Sequence, residues 1–293
     1  MLKFIVALSL LTSVAFAQIK TQQIPRDEIQ QIWNQLPVAS KDASKPYILD
    51  HNKVTTNSVL LLHGLSDSPY YVRQIGEVFY KKGWNVVAIL YRGHGTKAED
   101  LKYVKVKEWR ADVQNGIKIA KLLGQNVSIG GFSTGATLAI EALLNKSAPF
   151  QSLYLFSPAI GFYDKMAYLS CIVKPFMQYD EPDAIENSDV RYRKIAINSV
   201  CQLRKVMKSI RKFRRADEIK VPVFTVITDA DTTISPKDMH KFANRLETQK
   251  YVITYPAELK IAHGAVTRSE TNSKFNELKT ELNKFIQNYF KAE

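Results

Sequence analysis

The sequence predicts an α/β fold with a mostly parallel central sheet flanked by helices and one inserted helical segment. Short apolar runs without polar alternation, such as Asn85 to Tyr91, recur between longer amphipathic runs. Strands of that kind are buried on both faces, as in parallel sheets covered by helices. A Gly-x-Ser-x-Gly run, Gly131 to Gly135, joins one strand-like stretch to a helix-forming one. The length, 293 residues, suits a single large domain carrying an insertion.

The chain starts with Lys3 and an apolar stretch from Phe4 to Phe16, followed by small residues at Ala15 and Ala17. This reads as an export signal over residues 1–17, cleaved before Gln18, because the apolar stretch is too short to span a bilayer. No later stretch resembles a membrane span, so the expected protein is exported, periplasmic or extracellular. Residues 18–44 form a lead-in with a short helix from Arg26 to Leu36. The core then occupies residues 45–158 and 219–293.

Within the core, Ser58 to Leu62 is a strand, and Pro69 to Lys82 carries Tyr71, Val72, Ile75, Val78 and Phe79 at near-helical spacing. Asn85 to Tyr91 is the next strand and Val106 to Leu123 the next helix. Val127 to Gly131 precedes the serine, Ala136 to Leu144 follows it, and Ser152 to Phe156 is another strand. After the insertion come strands at Val221 to Ile227 and Tyr251 to Tyr255, separated by a helix from Pro236 to Leu246. A last helix runs from Asn272 to Phe290.

Residues 159–218 break this rhythm, with no clear strand, both cysteines and many basic residues. The segment is expected to be a helical, basic lid. In it Val200, Leu203, Met207, Ile210 and Phe213 recur at helical steps among Arg204, Lys205, Lys208, Arg211, Lys212, Arg214 and Arg215. Two readings stand: a helix packed on its own protein with a solvated charged face, or one touching an anionic membrane while its apolar face shapes a pocket. Cys171 and Cys201 would pair in an oxidising compartment or remain two buried thiols. The formal charge of +13, one unit of it from Lys3, favours anionic partners but says nothing of fold.

A serine in a sharp strand-to-helix turn holds its hydroxyl clear of the sheet, at the positive end of the helix. It becomes a nucleophile only beside a base that a third group orients. Of the five histidines, His51 and His63 precede the serine, His94 lies between glycines, and His240 falls inside a helix. His263 lies in a loop after the last strand, where its ring can reach back over the sheet. The orienting acid should end the preceding strand, where Asp229 and Asp231 compete. Asp231 is placed at the tip facing the histidine loop, and Asp229 is expected to cap a turn through its side chain. Two backbone amides should hold the developing oxyanion: Thr134, after the serine, and Leu65, after the His63-Gly64 turn. His63 and His94 are then structural, His94 close to the mouth of the site.

Together these residues resemble a known family. Leu61-Leu62-His63-Gly64, Arg92-Gly93-His94-Gly95-Thr96, Gly131-Phe132-Ser133-Thr134-Gly135, Asp231 and His263 stand in the order of serine α/β-hydrolases. They are most similar to the bacterial carboxylesterase and monoacylglycerol-lipase-like branch, from Ser58 to the C-terminus without the lid. One departure is the acid loop, Thr228-Asp229-Ala230-Asp231, where glycine is more usual. The resemblance implies an α/β-hydrolase fold and a serine ester hydrolase; an apolar lid beside Ser133 with a basic face suits monoacylglycerol or lysophospholipid, and a small soluble ester is equally open. Thioesterase, amidase or acyltransfer chemistry on the same triad remains open, as does a non-catalytic binder of anionic membrane or polymer. No metal, organic cofactor or nucleic-acid partner is expected.

Overall fold

A computed structural model describes residues 22–180, 188–210 and 214–290. The expected signal over 1–17 and the lid residues Arg211, Lys212 and Phe213 lie outside them. Apolar runs become strands and amphipathic runs become helices, in the order α1 (Arg26–Trp33), β1 (Tyr47–Leu49), β2 (Thr55–Leu62), α2 (Arg73–Lys81), β3 (Asn85–Ile89), α3 (Val106–Leu123), β4 (Gly124–Phe132), α4 (Thr134–Leu144) and β5 (Leu153–Phe156). The segment after β5 holds α5 (Ser170–Val173), β6 (Tyr179–Asp180), β7 (Ile195–Ala196) and α6 (Ile197–Ser209). The chain closes with β8 (Val223–Thr228), α7 (Pro236–Arg245), β9 (Lys250–Tyr255) and α8 (Phe275–Tyr289).

The main sheet has the order β1-β3-β2-β4-β5-β8-β9, with only β1 antiparallel. Its central strands are buried on both faces, which explains their unbroken apolar sequence. In β2, Leu60 and Leu62 join one core cluster, with Trp109, Leu138 and Phe242, while Val59 and Leu61 join another, with Phe79, Tyr154 and Phe285. The chain runs from β2 to β3 on one side and returns to β4 on the other. The order therefore reverses at β2, and open parallel sheets bind ligands at the strand ends where this happens.

Three features differ from the sequence expectation. β1 was not anticipated: it is three residues of intermediate burial paired along one edge of β3, too short to carry a period. The inserted segment is not wholly helical, because Tyr179 and Asp180 pair antiparallel with Ala196 and Ile195. Pro69–Val72 is a 3₁₀ turn leading into α2 rather than its first α-helical turn.

α6 lies against its own protein. Its apolar residues Leu203, Val206 and Met207 are buried in the same cluster as Leu138 and Ala139 of α4. Buried Glu141 of α4 accepts from Arg110 Nε and Nη2 at 2.9 and 2.6 Å and from the Ser209 hydroxyl. Asn198 Nδ2 donates to the carbonyls of Leu101 and Val104 at 3.1 and 2.9 Å. Among the described residues, no helix is long and apolar enough to cross a membrane.

Cys171 and Cys201 are disulfide-bonded across a separation of 30 residues, tying α5 to α6. In the chain-entropy account, closing such a loop stabilises by about 3–4 kcal/mol. Replacing both cysteines by serine is expected to lower the unfolding free energy by about that amount, read as a shift of the urea midpoint. An unchanged midpoint would show that the bond constrains nothing the fold does not already hold.

Candidate active site

The serine turn is built from close backbone contacts. A Cβ on Gly135 would lie 2.2 Å from the Leu62 carbonyl oxygen, and one on Gly131 would lie 2.6 Å from the same atom. Only glycine lets β2, β4 and α4 meet this closely. Ser133 itself adopts φ 53° and ψ −114°, a conformation costing about 1–3 kcal/mol for a residue with a side chain. The surroundings hold it there: its amide donates to Phe156 O at 2.9 Å and its carbonyl accepts from Ala159 N at 3.2 Å.

Three side chains meet above the strand ends. Ser133 Oγ lies 2.8 Å from His263 Nε2, and His263 Nδ1 lies 2.5 Å from Asp231 Oδ2. The other carboxylate oxygen, Oδ1, accepts from the amides of Thr233 and Ile234, both at 2.8 Å. A carboxylate already held by two amides accepts the Nδ1 proton, leaving Nε2 to accept from the serine hydroxyl. Thr228 Oγ1 donates to Ile261 O at 2.6 Å, fixing the histidine loop to the end of β8. Phe132 lies against the imidazole with ring centroids 4.9 Å apart. Ser133 and His263 are only 6% and 7% exposed, and Asp231 is buried.

Of the two acidic candidates, Asp231 pairs with His263 as expected, whereas Asp229 differs from its expected role. Asp231 closes its own turn with the two amides just described. Asp229 does not cap a turn: its Oδ1 pairs at 2.8 Å with Nε2 of His240 on α7. His51 stacks on Tyr80 of α2, ring centroids 4.2 Å apart. The amides of Leu65 and Thr134 have no acceptor among the described residues, as groups facing an incoming oxygen require.

His63 and His94 are buried beneath the loops rather than at the mouth. His63 Nδ1 lies 2.8 Å from Gly64 O, and its Nε2 accepts from the Tyr91 amide at 3.3 Å. His94 packs edge-on to His63 at 4.9 Å and tilts against Trp109. Sequence reading passed over Asp67, Arg191 and Tyr192. Asp67 is buried, pairs with Arg191 at 3.2 Å, and shares the loop that carries Leu65. A lone carboxylate between serines carries no periodic signal, so only its burial identifies it.

Residues 54–180 match the Hydrolase_4 family model, described as serine aminopeptidase, S33. A thermostable monoacylglycerol lipase of Bacillus sp. (strain H-257) is 25% identical over 214 residues, 69% of this chain and 79% of that protein. Among solved structures, one of the metagenome-derived lipolytic enzymes LipS and LipT superposes with TM-score 0.72 at 15% identity, covering 85% of this chain and 99% of that one. A soluble variant of the monoglyceride lipase of Saccharomyces cerevisiae, in complex with a substrate analogue, gives TM-score 0.68 at 12% identity, covering 84% and 92%.

Burial by the surrounding rings lowers His94 to about 4, and burial together with the neighbouring His94 pushes His63 well below the ordinary 6.5. The unfolded chain then binds these protons first, so the contribution to stability is complete above pH 6.5 and is lost as pH falls towards 4. For His94 alone the loss by pH 5 is about 2 kcal/mol. Thermal midpoints should fall from pH 7 to 5, and His94→Asn should flatten that slope. A wild-type midpoint independent of pH over this range would exclude buried neutral imidazoles.

Proposed function

We propose that this chain, a serine α/β-hydrolase of the carboxylesterase and monoacylglycerol-lipase-like kind that acts on ester bonds, hydrolyses lipid monoesters at a membrane surface after export. The observation that carries the reading is the unbroken relay from Ser133 through His263 to Asp231. In this reading Ser133 Oγ attacks the ester carbonyl while His263 Nε2 takes its proton. The Leu65 and Thr134 amides hold the oxyanion, and Asp231 stabilises the imidazolium. Collapse of the tetrahedral adduct breaks the bond to the leaving alcohol, which receives the proton from Nε2. Water, deprotonated by the same nitrogen, then releases the carboxylic acid and restores the serine.

Monoacylglycerol or lysophospholipid is favoured over a small soluble ester by the inserted segment. Between Tyr163 and Met177 it exposes Tyr163, Met166, Leu169, Ile172, Phe176 and Met177. Clustered apolar exposure of this kind marks an interaction surface, and the basic net charge suits an anionic lipid plane. The membrane contact is assigned to this stretch and not to the apolar face of α6, which is buried. Export is supported by the leader-like residues 1–17 and by the Cys171–Cys201 bond, which an oxidising compartment maintains.

Ser133→Ala should lower turnover of p-nitrophenyl butyrate by about 10⁶-fold and abolish labelling by a fluorophosphonate probe. Full activity without the serine hydroxyl would end the reading. For the lipid surface, Ile172→Ser with Phe176→Ser should cut turnover of emulsified long-chain monoacylglycerol and co-sedimentation with phosphatidylglycerol vesicles, while leaving p-nitrophenyl acetate hydrolysis unchanged. Wild-type rates that fall steeply beyond butyrate would sink the lipid assignment and leave the esterase intact.

A further inference from the structure

Asp67 is only 3% exposed and lies on the loop that carries Leu65. Its Oδ2 fills the space above Gly64, where a Cβ would be 2.3 Å away, so the carboxylate is folded under its own loop. Two cations approach it from separate parts of the chain. Arg191, from the inserted segment, sets Nε 3.2 Å from Asp67 Oδ1. Arg268, five residues beyond His263, stands over the rings of Tyr70 and Tyr71 at 5.4 and 5.2 Å, and Arg191 stands over Tyr71 at 5.8 Å. Burial raises the Asp67 carboxyl above its ordinary value, and the charges of Arg191, His263 and Arg268 pull against that rise.

The same strand of chain grips the loop through its backbone. The Tyr192 amide donates to Ser66 O at 2.9 Å, and Ser66 is held at φ 61°. The Tyr192 hydroxyl accepts from Thr96 N at 2.6 Å and donates to Gly93 O at 3.3 Å, reaching the loop after β3. Nη1 of Arg191 lies 3.2 Å from where a Cβ on Gly264 would stand, next to His263. Arg191 and Tyr192 thus touch the loops after β2, β3 and β9 together.

We propose that Asp67 and Arg191 are positioning residues that clamp the Leu65 amide in place for the oxyanion, making turnover depend on the docking of residues 188–192. The inference rests on the ester-hydrolase reading of Ser133. A donor amide on a loop with a strained Ser66 needs an external restraint, and a displacement of about 1 Å at such a group can cost about 10²-fold in rate. Neither side chain exchanges a proton with substrate.

The test measures kcat per serine titrated by a fluorophosphonate, so that misfolded protein does not count. Asp67→Asn and Arg191→Met should each lower kcat for p-nitrophenyl butyrate by about 10²-fold with KM changed by less than about threefold. Affinity for a trifluoromethyl ketone, whose adduct carries the oxyanion, should fall in parallel. Arg191→Lys should recover part of the rate, and the double variant should be no slower than the slower single one, since both break one link. If Asp67→Asn alone fails to fold, the double variant removes both charges and Arg191→Met carries the measurement. Rates per titrated serine within about twofold of wild type, or losses that multiply in the double variant, would overturn the clamp. A wild-type protein that takes up no fluorophosphonate would instead overturn the reading of Ser133.

Discussion

The structure depends on one close approach of backbone to backbone, where the turn after β4 rests on the Leu62 carbonyl at the end of β2. Gly131 and Gly135 permit it because a methyl group at either position would overlap that oxygen. The approach forces Ser133 into a backbone region that only its neighbours can maintain, and those neighbours come from the end of β5. A conformation costing about 1–3 kcal/mol is held by two hydrogen bonds and a full core beneath it. The result is a hydroxyl lifted off the sheet with little freedom to move.

Sheet order then decides what can meet that hydroxyl. Strand ends at β2, β4, β8 and β9 all open towards one edge, so four loops far apart in sequence share a small volume. The β2 loop brings an amide, the β8 loop a carboxylate and the β9 loop an imidazole. Burial sharpens the arrangement: Asp231 has its second oxygen occupied by Thr233 and Ile234, which leaves a single direction for the histidine. The ring is further restricted by Phe132 beside it and by the Thr228 tether behind its loop.

Much of this was legible in the residues, for physical reasons that differ element by element. Doubly buried strands such as Asn85–Ile89 announce themselves because Val86 to Ile89 run apolar without alternation, both faces being covered. The serine turn was readable because its glycines are demanded by sterics alone. β1 and the pairing of Tyr179–Asp180 with Ile195–Ala196 were not, since two or three residues carry no period and their pairing depends on distant partners. Position distinguishes Asp231 from Asp229 correctly as the partner of His263, but the turn expected of Asp229 is closed by Asp231 as well. A carboxylate can close a turn with one oxygen and orient a histidine with the other, which a reading that assigns one task per residue misses. Asp67 was invisible because only tertiary burial converts a polar-loop carboxylate into an anchor.

The inserted segment divides into a part that belongs to the body and a part that faces outward. α6 is fixed to the body by Leu203, Val206 and Met207, by Glu141 through Ser209, and by Asn198 on the loop before α3. Its positive charges therefore sit on a rigid surface. The stretch from Tyr163 to Met177 instead exposes Met166, Ile172, Phe176 and Met177, with Tyr168 packed on the core, and is joined to α6 by the disulfide. For the proposed lipid contact, an apolar stretch bonded covalently to a basic helix would offer both attractions a lipid plane responds to, area and charge. The same insertion reaches inward through Arg191 and Tyr192 to the loops around the serine. In the proposed reading, contact with a surface and the placing of the oxyanion amide would both fall to residues of the same insertion, Tyr163 to Met177 for the first and Arg191 with Tyr192 for the second.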